Sequence, residues 1–341
     1  MTVKKALKKE SRVGDTKVIY ILFAFLAAVT VFAAVKLSGY ADVIQQKTAM
    51  TGFFAGAVLI AGATSLPEVT TSVTAGVIRS PDLAVGNVLG SNAFNLFVLA
   101  AVDMWFRRKK MYVHVSKQSA IPALLGLVLT LIVASAFLIR TSVSFLGIGL
   151  DVWLIIALYF GGVFYLNQAN KLPDEPPAET KTTLSLKGAI IRFVIAALII
   201  MAAGSYLTVL GDEIAVITGL GQSFIGSLLI AGATSLPEVS VVYLALKRDQ
   251  FNGAVGVIIG SNMFNLILLG VADLFYRDAT LIRDASSVHW ITLLALLILT
   301  TIVLVAIYLN KGLKRVSWLP SLTVIAGYLL MTVLLYMYSV N

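Results

Sequence analysis

The sequence contains no cysteine, only two histidines, and few charged residues, which make up 13% of its 341 positions. The lack of cysteine excludes disulfide bonds, thiolate metal sites and cysteine nucleophiles. The two histidines, His114 and His289, flank apolar runs and cannot form a metal site by themselves. No Ser-His-Asp, zincin or P-loop pattern appears, so we expect neither a hydrolase nor an ATP-driven pump, and no enzyme of another kind.

Apolar residues are abundant instead. They make up 59% of the chain, and the mean hydropathy is +0.93. This composition is typical of a membrane protein that crosses the bilayer several times. The net charge is +9, but the Lys and Arg residues lie between apolar runs, where they orient loops and meet lipid headgroups. We therefore expect a lipid bilayer, and no nucleic acid, as a partner.

Ten apolar runs approach or exceed the roughly 20 residues that cross a membrane. They are Val18–Val35, Gly52–Ile78, Leu83–Phe106, Ala120–Ile139, Phe145–Leu166, Gly188–Leu210, Ser223–Leu246, Gly253–Tyr276, Trp290–Leu309 and Trp318–Tyr338. The predicted fold class is an all-α membrane protein of ten transmembrane helices. Its predicted parts are a basic N-terminal tail (1–17), a first five-helix half (18–166), a linker (167–187) and a second half (188–341). The first run is too long for a signal-peptide core and is predicted to be a retained helix.

The segment Leu59–Val69 recurs letter for letter at Leu229–Val239, an offset of 170 positions. The offset continues downstream: Gly86, Gly90, Ser91, Asn92, Phe94, Asn95, Leu96, Asp103 and Arg107 reappear as Gly256, Gly260, Ser261, Asn262, Phe264, Asn265, Leu266, Asp273 and Arg277. Five predicted spans separate each residue from its counterpart. Because five is odd, the second copy should cross the membrane in the opposite sense, which predicts an inverted repeat. The glycines of these stretches are predicted to allow close helix packing.

Each repeated segment carries one glutamate, Glu68 or Glu238, within a predicted span. An ionisable residue at bilayer depth is costly, and it usually belongs to an ion or proton pathway. A proline precedes each glutamate and should interrupt its helix. The interruption is expected to free the backbone carbonyls of residues 61–64 and 231–234 to face a cavity.

Further polar residues lie at helical spacing in the same spans. Thr64 is four residues before Glu68, and Ser91 is four residues before Asn95; Thr234 with Glu238 and Ser261 with Asn265 repeat the pattern. Carboxylate, hydroxyl, amide and carbonyl oxygens suit hard cations such as Ca²⁺ or Na⁺ and disfavour Zn²⁺ or Cu⁺. The alternative for each hydroxyl or amide taken singly is a hydrogen bond to a neighbouring helix.

Other charged residues are predicted to be peripheral. Asp103 with Arg107, and Asp273 with Arg277, are four apart near helix ends and are interpreted as ion pairs at the membrane interface. Asp212 and Glu213 are interpreted as part of a short, solvated loop.

The paired motifs Gly-Ala-Thr-Ser-Leu-Pro-Glu and Gly-Ser-Asn-x-Phe-Asn resemble the two alpha-repeats of the cation/Ca²⁺ exchanger superfamily, in the Na⁺/Ca²⁺ exchanger branch of prokaryotic type. The resemblance implies that Glu68 and Glu238 are the principal Ca²⁺ ligands and also help to bind Na⁺. It implies that Thr64 and Thr234 coordinate Ca²⁺ through their backbone carbonyls. The residues that it assigns to flanking Na⁺ sites are Ala61, Ser65, Ser91, Ala231, Ser235 and Ser261, with Asn95 and Asn265 lining the centre.

Two positions depart from the pattern. Several family members carry Asp at the position of Asn265, and its absence removes a titratable ligand, argues against K⁺ co-transport and leaves the Na⁺ stoichiometry open. In addition, Gly86-Asn87 of the first half becomes Gly256-Val257 in the second, an asymmetry that packing alone could explain.

The expected function is secondary antiport of Ca²⁺ for Na⁺ by alternating access at a midplane site. The resemblance implies that spans 1 and 6 move past the core to alternate the access. No cofactor is expected besides the transported ions, Ca²⁺ and Na⁺ or H⁺. H⁺/Ca²⁺ exchange on the same scaffold is the alternative. The resemblance favours Na⁺, because the H⁺/Ca²⁺ branch typically carries a Gly-Asn-x-x-Glu type motif, whereas each glutamate here follows Thr-Ser-Leu-Pro. A cation channel is less favoured, because channels place their ligand rings in symmetric oligomers.

The location is predicted to be a prokaryotic plasma membrane, with the protein acting as a monomer. Positive charge is concentrated in the loops after the odd-numbered spans. The positive-inside rule therefore places these loops in the cytoplasm and both termini outside.

Overall fold

The structure is a computed structural model that describes residues 13–48, 63–168, 184–309, 312 and 316–340. The described chain is almost entirely helical, with one small hairpin in which Phe145 pairs with Ile148. The elements are α1 (Val13–Thr48), α2 (Leu66–Val77), α3 (Pro81–Trp105), α4 (Met111–His114), α5 (Ala120–Ile139), β1 (Ser144–Phe145), β2 (Ile148–Gly149), α6 (Leu150–Gln168), α7 (Leu186–Thr218), α8 (Gln222–Ile225), a π-helical turn (Gly226–Ile230), α9 (Ala231–Thr234), α10 (Leu236–Lys247), α11 (Phe251–Phe275), α12 (Leu281–Asp284), α13 (His289–Leu309) and α14 (Leu319–Val340).

Seven of these helices are long and apolar enough to cross a membrane, namely α1, α3, α5, α7, α11, α13 and α14. The run from Gln222 to Lys247 is an eighth candidate that bends by 49° after Thr234. The apolar part of α6, Leu150–Leu166, is shorter than these. The predicted second span begins outside the described residues. The largely helical membrane architecture is therefore confirmed, and the count of ten helices stays a prediction.

Two predicted spans were too short. Helices α1 and α7 extend well beyond the predicted spans Val18–Val35 and Gly188–Leu210. Helix α7 continues through Asp212 and Glu213, so these residues are not in a loop. Within this helix Asp212 Oδ1 accepts from Ser80 Oγ over 3.2 Å, and Gln222 Nε2 also donates to this carboxylate.

The predicted fifth span was also wrong at its start, because a hairpin precedes the helix. Leu146 and Gly147 have φ values of 53° and 80° and form the turn of this hairpin. Glycine adopts this left-handed backbone readily. The helix therefore begins at Leu150 rather than at Phe145.

Asp103 and Asp273 are buried and do not pair with Arg107 and Arg277, so the prediction of interface ion pairs was wrong. Asp273 accepts hydrogen bonds from the backbone N–H of Gly149 at 2.7 Å and of Leu281 at 2.6 Å. Asp103 accepts one from Ser321 Oγ at 2.6 Å. A buried carboxylate needs such donors, and here they come from β2, from the start of α12 and from α14.

Helices α3 and α11 form the centre of the molecule. Their hydrophobic windows are 83% and 61% buried, whereas that of α1 is 17% buried. Helix α1 packs mainly against α7. A cluster separate from the main core joins these two helices; its residues are Ala33, Ala34, Leu37, Ala41, Ala63, Ala196 and Ile200. The C-terminal part of α7 also reaches the main core, to which it contributes Leu207, Ile214 and Ala215.

Small residues let α3 approach the segment that contains α8 and the π-helical turn. A Cβ atom added to Gly90 would lie 2.4 Å from Ser227 Cα, and one added to Gly86 would lie 3.1 Å from Ser227 N. No larger side chain fits between backbones at these separations. The prediction that the glycines serve close packing is confirmed for Gly86 and Gly90. No described atom lies within 4 Å of a Cβ added to Gly256 or Gly260, so for these two it stays a prediction.

Several elements recur at the same offset of 170 residues. Helices α2 and α10 have 12 residues each, and α3 and α11 have 25 each. The backbone angles of Ser65 (φ −90°, ψ 9°) match those of Ser235 (φ −89°, ψ 6°). Arg79 and Asp249, also 170 apart, both have left-handed backbones with φ of 58° and 60°. The duplicated sequence therefore adopts the same local structure twice.

Candidate cation site

Each glutamate lies in the first turn of a helix that begins after a break. Glu68 is in the first turn of α2 and Glu238 in that of α10, where the positive end of the helix dipole favours a carboxylate. Pro237 has no N–H to donate to the carbonyl of Ala233, four residues earlier. The helix direction changes at this point by 49°.

One expected free carbonyl is engaged instead. The Ala231 carbonyl accepts from Ser235 N–H at 3.0 Å and from Thr234 Oγ at 3.3 Å. The expectation that this carbonyl is free was therefore wrong, because Ser235 retains its N–H and can complete the last turn of α9.

The candidate ligands are buried wherever the structure describes them. The buried residues are Thr64, Ser65, Glu68, Ser91 and Asn95 of the first half and Ala231, Thr234, Ser235, Glu238, Ser261 and Asn265 of the second. Ala61 lies outside the described residues. Both glutamates are only 1% exposed, so neither carboxylate can rely on bulk water for solvation.

The two repeated segments meet at the glutamates. Ser235 Oγ of the second half donates to Glu68 Oε1 of the first over 3.0 Å. The carboxylates of Glu68 and Glu238 lie close enough to interact electrostatically. Two buried carboxylates this close repel each other strongly unless a cation or a proton compensates them.

Helices α2 and α10, which carry the glutamates, pack against α3 and α11, and α3 and α11 meet through four reciprocal hydrogen bonds. Asn92 Nδ2 donates to the Asn262 carbonyl at 2.9 Å, and Asn262 Nδ2 donates to the Asn92 carbonyl at 3.0 Å. Asn95 Nδ2 donates to Asn262 Oδ1 at 3.0 Å, and Asn265 Nδ2 to Asn92 Oδ1 at 3.1 Å. The side-chain amide nitrogens of Asn95 and Asn265 are thus occupied, while their oxygens are not.

Asn92 and Asn262 were missed as members of the site. The sequence showed them only as repeated residues of the Gly-Ser-Asn-x-Phe-Asn motif. That repetition was the available signal. Their side-chain oxygens accept from the amides of Asn95 and Asn265, through contacts between residues 167 and 173 positions apart.

Several side-chain oxygens of the candidate ligands have no hydrogen-bond partner among the described residues. They are Ser65 Oγ, Glu68 Oε2, Ser91 Oγ, Asn95 Oδ1, Glu238 Oε2 and Asn265 Oδ1. An unsatisfied buried polar group costs about 1–3 kcal/mol, and six such oxygens among the candidate ligands favour a ligand that oxygen atoms coordinate. Hard cations such as Ca²⁺ and Na⁺ are coordinated by this kind of set. Within the described ranges, no three His, Cys, Asp or Glu side chains lie together in a group that could hold a metal ion.

Comparison with known proteins supports a transporter family. The family described as "Sodium/calcium exchanger protein" matches residues 18–166 and 188–337. The chain is 26% identical over 271 residues to the sodium/calcium exchanger MaX1 of Methanosarcina acetivorans, which covers 69% of this chain and 77% of that protein.

Two solved structures show the same fold. The sodium-calcium exchanger NCX_Mj aligns with a TM-score of 0.57 and 22% identity, covering 92% of this chain and 97% of that one. An H⁺/Ca²⁺ exchanger, CAX, aligns with a TM-score of 0.68 and 12% identity, covering 98% of this chain and 91% of that one. The backbone arrangement is therefore shared by exchangers with different counter-ions.

Proposed function

Because the chain belongs to the sodium/calcium exchanger protein family, we propose that it is a secondary antiporter that exchanges Ca²⁺ for Na⁺ across a membrane. The observation that carries this proposal is the meeting of Glu68 and Glu238 in a buried cluster of unsatisfied oxygens. Two carboxylates balance one divalent ion. The same oxygens can be occupied in turn by monovalent ions, and this alternation is what antiport requires.

The proposed architecture is an inverted repeat of two five-helix halves, with ten transmembrane helices and one shared site at the midplane. The matching bounds of α3 and α11 and the reciprocal Asn92–Asn262 hydrogen bonds support a twofold relation between the halves. The basic loops after the odd-numbered spans favour both termini outside. The proposed location is a prokaryotic plasma membrane, and the proposed acting unit is a monomer.

The ligands proposed for Ca²⁺ are the carboxylates of Glu68 and Glu238 and the carbonyls of Thr64 and Thr234. Flanking Na⁺ sites are proposed for the remaining candidates, which are Ala61, Ser65, Ser91, Ala231, Ser235 and Ser261, with Asn95 and Asn265 between them. Because the Ala231 carbonyl accepts two hydrogen bonds in this structure, its use as a ligand requires the last turn of α9 to open.

Alternating access is assigned to α1 and α7. These two helices pack on each other through a cluster of small residues that is separate from the main core. Moving them as a pair would therefore disturb few contacts of α3 and α11. The alternative counter-ion is H⁺, because a buried glutamate can also carry a proton.

The deciding experiment is ⁴⁵Ca²⁺ uptake into proteoliposomes that are loaded either with Na⁺ or with acidic buffer lacking Na⁺. We expect uptake from the Na⁺-loaded vesicles, and its loss in Glu68→Gln. Glu213→Gln is the matched control, because Glu213 lies on α7 outside the oxygen cluster. Uptake driven only by the pH gradient would change the counter-ion to H⁺. Uptake in the absence of any counter-ion would indicate a channel, and none under either gradient would reject Ca²⁺ as substrate.

A further inference from the structure

The backbone of Glu68 is connected to α3 by two consecutive buried hydrogen bonds. Thr71 Oγ donates to the Glu68 carbonyl at 3.0 Å, and Asn87 Nδ2 donates to Thr71 Oγ at 2.7 Å. Asn87 Nδ2 also lies 3.4 Å from Ser72 Oγ. All three side chains are at most 1% exposed. Hydrogen bonds in such a chain strengthen one another when they are buried.

The second half lacks every polar member of this arrangement. The residues 170 positions after Thr71, Ser72 and Asn87 are Val241, Val242 and Val257. A lone Asn or Thr buried without its partner would cost about 1–3 kcal/mol. The three positions therefore differ together between the halves: all three are polar in the first half and all three are valine in the second. The backbone of Glu238 receives no corresponding support from α11.

The carboxylate ends of the two glutamates differ in the same direction. Ser235 Oγ donates to Glu68 Oε1. The counterpart of Ser235 is Ser65, whose hydroxyl has no partner within the described chain. Glu68 is thus held at both its backbone and its carboxylate, whereas neither of these two bonds has an equivalent at Glu238.

We propose that Asn87, Thr71 and Ser72 are positioning residues that fix Glu68, so that Glu68 is the stationary carboxylate and Glu238 is the one that moves when the bound ions exchange. This inference rests on the proposed antiport function. A fixed ligand is preorganised and binds more tightly, because no ordering of its backbone is needed on binding. A mobile partner lets the same site fit ions of different size and charge.

The test is to give the first half the residues of the second. The triple variant Thr71→Val/Ser72→Val/Asn87→Val removes all three polar groups together, and Thr and Val have nearly the same shape. We expect the KM for Ca²⁺ uptake to rise about tenfold, which corresponds to about 1.4 kcal/mol, with the maximal rate within about twofold of the native value. The single variant Thr71→Ser keeps the hydroxyl, and its KM for Ca²⁺ should stay at the native value.

Thr130→Val is the matched control, because Thr130 is a buried hydroxyl that donates within its own helix to the Gly126 carbonyl. It should leave KM unchanged. A native KM in the triple variant, or an equal rise in Thr130→Val, would overturn the inference while leaving the antiport function intact. Failure of the native protein to transport Ca²⁺ under either gradient would instead remove the proposed function together with the inference.

A second measurement addresses the difference between the glutamates directly. Shortening a carboxylate by one methylene withdraws it from the ion, and only a mobile segment can compensate. Glu68→Asp should therefore raise the KM for Ca²⁺ about tenfold more than Glu238→Asp does. Equal effects of the two substitutions, or a larger effect at Glu238, would contradict the assignment of roles.

Discussion

The two halves carry the same candidate ligands but surround them differently. Glu68 is tied to α3 through Thr71 and Asn87, whereas the valines at the corresponding positions leave Glu238 without such a connection. The hydrogen bonds among Asn92, Asn95, Asn262 and Asn265, which join the halves, are by contrast symmetric. A duplicated chain can thus keep the geometry of a shared site while giving its two carboxylates different freedom.

The symmetric contacts extend beyond the site. Ser286 N–H donates to Asp82 Oδ1 at 2.6 Å, and Ser116 N–H donates to Asn252 Oδ1 at 2.7 Å. Both donors and both acceptors are 170 residues apart. The acceptor is a carboxylate in the first half, where Asp82 also lies 3.1 Å from His289 Nε2, and a side-chain amide in the second. The backbone donor is therefore kept while the group that accepts its hydrogen bond differs. The geometry at the junction between the halves is therefore more strictly repeated than the residues that make it.

The largest effect should come from breaking the symmetric centre. Asn92→Ala removes the acceptor for Asn265 and the donor to the Asn262 carbonyl, and Asn262→Ala removes the mirror-image bonds. Each change should lower the free energy of unfolding by about 2–4 kcal/mol, because buried polar groups lose their partners. Thermal unfolding in detergent measures this, with the exposed helical Thr323→Val as control. Effects that differ by more than about twofold between the two asparagines would contradict the symmetry.

An intermediate effect should separate the two buried aspartates. Asp273→Ala leaves the backbone N–H groups of Gly149 and Leu281 without an acceptor, at a cost of about 1–3 kcal/mol. Asp103→Ala should cost less, because the Ser321 hydroxyl that it releases can rotate to another acceptor. Thermal unfolding of the two variants compares them. A greater loss of stability for Asp103→Ala than for Asp273→Ala would contradict this ordering.

The smallest effect should come from two ion pairs at the surface. Arg79 Nη1 lies 3.0 Å from Asp278, and Lys109 Nζ lies 2.7 Å from Asp249. Lys109 Nζ also donates to the carbonyls of Leu246 and Lys247 at the end of α10. Both Arg79→Ala and Lys109→Ala should change the free energy of unfolding by at most about 1 kcal/mol.

The change should be larger for Lys109→Ala, since the lysine also satisfies helix-terminal carbonyls. High salt should reduce the difference in the free energy of unfolding between each variant and the native protein. The same unfolding measurement, at low and high ionic strength, checks both statements. A salt-independent loss at Arg79 would show that its contact with Asp278 is not a simple surface ion pair.

Much of the architecture was readable from the sequence. The long apolar runs predicted α3, α5 and α11 to within a few residues, because such runs form helices wherever lipid leaves the backbone no other partner. The prolines before the glutamates predicted the break that the structure shows between α9 and α10. The sequence did not indicate that Asp212 continues a helix, or that Asp103 and Asp273 are buried, because the donors that satisfy them lie far away in the chain.

Composition and repetition by themselves determined that the chain is a helical membrane protein and that equivalent residues occur twice, 170 positions apart. Both are local properties, set by hydrophobic length and by the letters of the repeat. Only the tertiary structure decided that Ser235 reaches Glu68, that Asn92 and Asn262 hold the central asparagines, and that one glutamate is tied to its neighbours. Those outcomes depend on side-chain contacts between distant segments, and a hydrogen bond exists only where folding brings its donor within about 3 Å of its acceptor.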